Sequence, residues 1–585
     1  MISNFRMLQL IIHIIIISFF CVAWGVPVLL LLNKYNHHSG FWVRYTAGFY
    51  SFLFWAGLLL LSFLASCFCL FLPLSFYYLI LLTAALLIYL LIKRKDVKQL
   101  FKRYPISFSL TTTETIFVVV SVLIFLVAGS LKPVNGDTQI YHVQIIRWVN
   151  EYGTVPGLAN LFPRYGAGSN WFNLISLFRV PFFRYENFTW LNTTSVIWFF
   201  IWLTNNLKFH NNNVSGSNRV MSHFYFLLIV FCLFEWELFR DAASSTNYDF
   251  IVTALTLMAL SFLIESFLFP AESKAFSFVF VVTCISVIPF KLSGVFLMLP
   301  LFFYLFFFRK IKYWLLTIIA GILILTPFLI KNYIVTGYPL FPVSLSFSSP
   351  DWQLPKEMAD YWRQYIHLTN RYYNSLELDF THLPELMNKS WIKYWFNGIL
   401  IQQKLIVLAS LGSLIMLFIK PKLFAGYKNI RVLFFLMLVM AAAWFFSAPS
   451  PRFGYGVLLP LAFLPACILI GQRMSVKIHT PVIIFTIFIL CYYLYKKSAP
   501  IINNPVNLLH TVKLIQPPLH KVYIKGIEFN LPEYVNNGWM RDCYNTDIPC
   551  IYQENKYLQP RGSSLKDGFK MDPQPDSIFI RNYVY

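Results

Sequence analysis

LQLIIHIIIISFFCVAWGVPVLLLL, residues 8–32, carries no charged side chain. A helix rises ~1.5 Å per residue and a bilayer's hydrocarbon core is ~30 Å thick, so this run is long enough to span. No clear small-residue cleavage site accompanies it, and it is therefore read as an anchor rather than a removed signal. Similar runs recur near 47–66, 70–92, 115–131, 189–204, 222–239, 248–269, 276–290, 293–308, 314–331, 402–420, 430–448, 455–471 and 479–496. Judged against a requirement of ~20 apolar residues, the chain reads as about fourteen spans, with the pair over 276–308 the shortest. The predicted fold class is an all-α polytopic membrane protein. Composition agrees: 58% of residues are hydrophobic and 12% are charged, against about 25% charged in soluble domains. A net charge of +22 would suggest nucleic acid in a soluble protein. Here Lys and Arg gather in short loops between apolar runs, as membrane topology demands, and no basic stripe follows a phosphate backbone. The expected partner is a bilayer, not nucleic acid.

Loop charge predicts sidedness. Residues 93–103 hold Lys93, Arg94, Lys95, Lys98, Lys102 and Arg103 against Asp96. Further clusters are Arg309, Lys310 and Lys312; Lys420, Lys422, Lys428 and Arg431; and Arg473 with Lys477. With the spans alternating, and with 276–308 split in two, all four fall on one side, which is then cytoplasmic. The chain divides into N-terminal spans over 1–131, an extracytoplasmic loop over 132–188, a transmembrane core over 189–496 containing an outer loop at 332–400, and a small extracytoplasmic domain over 497–585. Of nine Cys, most lie within apolar runs; Cys543 and Cys550 do not. An oxidising compartment permits a disulfide between these two. No nearby His completes a tetrahedral metal set.

Chemistry-bearing residues collect at the predicted outer edges. Asp137 follows a span and precedes Tyr141 and His142; a carboxylate there suits a general base for a hydroxyl, and equally an N-cap. Ile140, Val143, Ile146 and Val149 have helical spacing, which suits a helix lying on a membrane surface. EWELFRDAASSTNYD, residues 235–249, packs Glu235, Glu237, Arg240, Asp241 and Asp249 between two spans. These are either an interfacial ion-pair cluster or functional groups. Lys291 in PFKLSG either snorkels or meets an anion. KNYIVTGYPLFP, residues 331–342, has the Gly and Pro of a structured turn. Arg452 in SAPSPRFGYG stands at an edge and suits phosphate recognition or headgroup anchoring.

Together these segments resemble the integral-membrane glycosyltransferases of the GT-C fold, which include the protein O-mannosyltransferases, the aminoarabinose transferases of lipid A and the RgtA/B/C/D-like families. GDTQIYH with Asp137 is similar to the early acidic site of their first large outer loop. KNYIVTGYPLFP resembles their N-x-x-x-T-G-x-P-x-x-P turn, and APSPRF their late Arg motif. The run GDTQIYHVQIIRW…VPGLANLFPRYGAGSNWF and the tail DCYNTDIPC…PRGSSLKDGF look like a bacterial membrane-protein family named after a Leptospira member. Where a carboxylate pair is common in better-studied members, Thr138 and Gln139 follow a lone Asp137.

The resemblance implies a GT-C-like bundle in a bacterial inner membrane with its site facing the periplasm or cell exterior. It implies a sugar carried on a polyprenyl phosphate, a glycan or lipid acceptor, and inversion with Asp137 as base. Lys291 and Arg452 would meet the donor phosphate. Tyr141, His142, Arg164, Arg240, Asp241 and Asp249 would bind substrate. No cofactor is required by the sequence, and metal dependence is open. Three other readings compete, one of them a GT-C-like protein that has lost activity and serves only as a scaffold. An O-antigen polymerase or ligase would use Arg363, His367 and Arg371 in the late outer loop. A transporter or flippase of lipid-linked glycans would place charges deep within spans; most ionisable groups here sit at edges.

Overall fold

The computed structural model describes residues 6–35, 48–103, 112–131, 133, 135–183, 188–213, 215–235, 241–269, 273–308, 311–372, 390–419, 430–473, 484, 488, 491, 518–533 and 543–583. Each apolar run within this set is occupied by helix. In chain order these are α1 (Arg6–Tyr35), α2 (Phe49–Phe68), α3 (Phe76–Ile92), α4 (Arg94–Arg103) and α5 (Thr112–Ser130). The loop helices α6 (Val143–Glu151) and α7 (Asn170–Phe178) follow. The central helices are α8 (Trp190–Asn211), α9 (Gly216–Phe234), α10 (Asp249–Leu268), α11 (Ser273–Val287), α12 (Met298–Phe308) and α13 (Ile311–Thr336). Beyond them lie α14 (Lys356–Arg371), α15 (Ile392–Gly398), α16 (Ile401–Ile419), α17 (Ile430–Ser447) and α18 (Pro451–Arg473).

Among the described residues, seven helices are long and apolar enough to cross a membrane: α1, α2, α9, α10, α13, α17 and α18. An eighth candidate is α3 with α4, a pair bent by 82°. Apolar side chains on these helices stay exposed, including Ile15, Phe19, Ile322 and Phe435. Such surface is at home only against lipid. The protein is a multi-pass membrane protein. Apart from residues 484, 488 and 491, the run at 479–496 lies outside the described residues, as do the cations Arg309, Lys310, Lys420, Lys422, Lys428 and Lys477 and residues 373–389 of the late loop.

Helices α1 and α2 meet backbone to backbone. A Cβ on Gly57 would sit 1.8 Å from the Cys21 carbonyl oxygen, and one on Gly25 2.1 Å from that of Leu53. Small residues permit this approach where lipid supplies no hydrophobic drive. Gly57→Leu is expected to cost at least about 3 kcal/mol, since neither backbone can yield, and to remove the folded, monodisperse fraction in detergent. Gly321→Ala, on an open face of α13, serves as the control and leaves that fraction unchanged.

Two expectations are corrected. The helix after Asp137 does not lie on a membrane surface. In α6, Val143, Gln144, Ile145, Ile146, Trp148 and Val149 are all buried, because α7 covers one side and the C-terminal tail another. Nor is the chain all helical. The tail contains the hairpin β1 (Leu519–Ile524) and β2 (Ile527–Pro532), then a second two-stranded sheet of β3 (Leu558–Pro560) and β4 (Phe569–Met571), before α19 (Ser577–Tyr583). The tail docks on the 132–188 loop. Gln144 Nε2 donates to the carbonyls of Tyr544 and Thr546 at 3.0 and 2.8 Å. Arg147 reaches the Asn545 carbonyl and the Asp547 carboxylate, both at 2.7 Å. Tyr552 stacks on Phe162, ring centroids 4.0 Å apart. A disulfide joins Cys543 to Cys550 across this docking segment.

Candidate active site

Asp137 stands at the start of a wide turn. Thr138–His142 winds as a π-turn into α6, a geometry frequent at functional sites. The Asp137 backbone N–H donates to Asn135 Oδ1 at 2.9 Å. Its carboxylate holds the N-cap position but does not cap the turn. Instead Oδ1 faces Arg164 Nη1 at 4.0 Å. Arg164 comes from the short turn Pro163–Gly166 and is itself buried. Its guanidinium lies over the rings of Trp362 and Tyr365, 5.2 and 5.7 Å from their centroids. Those two rings stack on each other on α14. Arg164 therefore ties the Asp137 loop to α14 and sets a positive charge beside the carboxylate.

A second carboxylate opens α10. Asp249 Oδ1 accepts from Lys291 Nζ at 2.7 Å, and Oδ2 faces Arg452 Nε at 3.5 Å. The Asp249 backbone N–H is fixed by Asn247 Oδ1 at 2.8 Å. Lys291 immediately precedes the short helix Leu292–Leu297, and Arg452 lies in the first turn of α18. Phe453 carries the ammonium on its face, 3.0 Å from the centroid. Lys291 is thus paired, not snorkelling. A partly buried cation pair of this kind is costly unless an anion accompanies it.

His142 lies between the two carboxylates. Nδ1 hydrogen-bonds Thr246 Oγ1 at 2.9 Å, while Nε2 has no hydrogen-bond partner among the described residues. Burial drops its pKa from 6.5 to about 4, although the Asp137 charge works against the drop. Burial likewise pushes the Tyr141 phenol well up, helped by Asp137. The unfolded state binds the His142 proton from about pH 6.5 downward while the folded state refuses it until about 4. The proton-linked penalty of His142 is therefore absent above that window and grows as pH falls through it, to about 3 kcal/mol at the acid end. Melting of wild type is expected to drop further between about pH 7 and pH 5 than melting of His142→Phe, measured in one detergent.

Asp137, Tyr141, His142, Arg164, Asp249, Lys291 and Arg452 all line one cavity of about 750 Å³. Of the other expected site residues, Asp241 is not on its wall, and Arg240 and Glu237 lie outside the described residues. The sequence reading missed Tyr248, Trp362 and Tyr365, which also line it. The signal for α14 was present: Met358, Ala359, Trp362 and Leu368 recur at helical spacing and are buried. Of the segment 331–342, expected as a turn, Lys331–Thr336 instead completes α13 and only the residues after it turn; the segment contributes Asn332, Phe341 and Pro342 to the wall. Thr336 Oγ1 joins helix to turn by donating to the Asn332 carbonyl at 2.7 Å and accepting from the Tyr338 N–H at 3.0 Å. No cluster of three or more His, Cys, Asp or Glu side chains suited to a metal occurs among the described residues.

Residues 7–459 match the family described as Domain of unknown function (DUF8201). The chain belongs to that family. The match takes in every residue of the cavity named above and stops before the tail. No curated protein and no solved structure matches the chain.

Proposed function

We propose that this family member is a membrane glycosyltransferase that moves a sugar from a polyprenyl-phosphate donor to a hydroxyl of a cell-envelope glycan or lipid. One observation carries the reading. A carboxylate with an orienting arginine and a carboxylate-bound cation pair come from five separate segments to one cavity at the ends of apolar helices. That is a base on one wall and an anion site on another. In this reading the shorter apolar helices also cross, giving about fourteen spans in a GT-C-like bundle. The basic loop around α4 is cytoplasmic, and the cavity faces the periplasm or exterior of a bacterial inner membrane.

The chemistry balances. Asp137 takes the proton of the acceptor hydroxyl as its oxygen attacks the anomeric carbon. The new carbon–oxygen bond forms as the bond to phosphate breaks on the opposite face, so the centre inverts. Polyprenyl phosphate departs with the electron pair, and Lys291 and Arg452 meet the developing charge. Arg164, Tyr141 and His142 surround the base and are placed to hold sugar or acceptor hydroxyls. A polymerase or ligase acting on the same donor class is the second reading, favoured by Arg363 and His367 on the same cavity wall. The test is turnover by purified protein in liposomes offered polyprenyl-phosphate sugars or nucleotide sugars. Transfer from the lipid donor alone is expected; use of the nucleotide sugar alone overturns the reading.

A further inference from the structure

We infer that Asp249 is an internal stand-in for the donor phosphate, a carboxylate that occupies the phosphate's two cations and sets how tightly that anion is held. Its two oxygens are divided between them: Oδ1 on Lys291 Nζ at 2.7 Å, Oδ2 toward Arg452 Nε at 3.5 Å. That is the arrangement two phosphate oxygens would take. All three side chains line the same cavity. Asp249 is buried and its backbone is pinned by Asn247 at 2.8 Å, so the carboxylate stays beside the cations and yields them to a phosphate only by rotating its side chain. Lys291 is held from its other side by the Phe453 ring at 3.0 Å, and the Arg452 guanidinium lies 5.0 Å from the centroid of the same ring, so one aromatic face supports both cations while their anion changes.

The inference rests on the proposed anion site and makes a claim about it that sequence position alone does not. A residue that bound sugar hydroxyls would have no effect on phosphate affinity, and one that only propped the cations would raise it. A stand-in competes with phosphate and lowers its affinity. The group Asp249, Lys291 and Arg452 carries a net charge of about +1 when all three are ionised, and removing the carboxylate charge leaves about +2. Asp249 is therefore a built-in competitor for the anion site. Without it, spent polyprenyl phosphate would stay bound and slow the next cycle.

The test uses the full chain in nanodiscs, with farnesyl phosphate as probe, read by calorimetry. Asp249→Asn keeps the shape and is expected to bind the probe about tenfold tighter than wild type. Lys291→Met is expected to bind it about tenfold more weakly, and Asp249→Asn with Lys291→Met to return close to wild type. If the single Asp249 variant does not fold, the double variant still decides, since it must bind more tightly than Lys291→Met alone. Weaker or unchanged binding after loss of the Asp249 charge overturns the stand-in. Equal binding by wild type and Lys291→Met overturns the anion site beneath it, which is a separate failure. In turnover, Asp249→Asn should lower donor KM and kcat together, the signature of product trapping; a fall in kcat with a raised KM contradicts it.

Discussion

Asp137→Asn is expected to reduce sugar transfer by about 10²–10⁴-fold while leaving the protein folded. The amide keeps the size of the carboxylate and removes its ability to take a proton. Asp137 is about one-third exposed at the cavity wall, and its side chain does not cap the turn it opens. The π-turn is held elsewhere, by the Val143 N–H on the Thr138 carbonyl and by the Thr246 N–H on Thr138 Oγ1 at 3.2 Å. The variant should therefore elute and melt like wild type. Arg164 loses its anion but remains stacked over Trp362 and Tyr365, so α14 should stay docked. Initial rates with a polyprenyl-phosphate sugar at saturating donor check this. Full activity in a folded variant removes Asp137 from the chemistry.

Arg452→Ala is expected to lower kcat for the lipid-phosphate donor by about 10²–10³-fold. The leaving phosphate would then face Lys291 alone, with Asp249 still competing for that ammonium. The guanidinium is one-third exposed to the cavity and is not a core group, so folding should tolerate its loss. Substrate titration separates the roles. Loss confined to kcat marks charge stabilisation in the transition state, whereas a rise in KM alone marks ground-state binding. An unchanged donor dependence takes Arg452 out of the site.

Much of this was legible in the sequence, and the reasons are physical. The spanning runs are long and nearly free of charge, so helix is the only described structure that satisfies their backbone in lipid. Boundaries were less legible. The run near 222–239 becomes a helix over Gly216–Phe234, because Ser215 caps it by accepting the Asn218 N–H at 3.2 Å; a polar cap outweighs local hydropathy. Asp137, Asp249, Lys291 and Arg452 were each visible as ionisable groups beside apolar runs, where few residue types are tolerated without purpose. Their pairing was not visible. Lys291 meets Asp249 across 42 positions, and Arg452 reaches Asp249 from a later helix. Tail docking was still less accessible, since Gln144 bonds residues some four hundred positions away. Period and composition carry no information about such contacts. Trp362 and Tyr365 carry no mark of a site in the sequence; only the fold sets the Arg164 guanidinium over their rings.

A sugar that leaves a polyprenyl phosphate at this cavity marks the cell envelope. The most direct measurement deletes the gene and profiles surface glycans and extracted lipid-linked sugars by mass spectrometry, with complementation by wild type and by Asp137→Asn. One sugar is expected to disappear from a surface glycan while its polyprenyl-phosphate form accumulates. Wild type should restore the glycan and Asp137→Asn should not. An unchanged glycan profile, or full restoration by Asp137→Asn, contradicts the account.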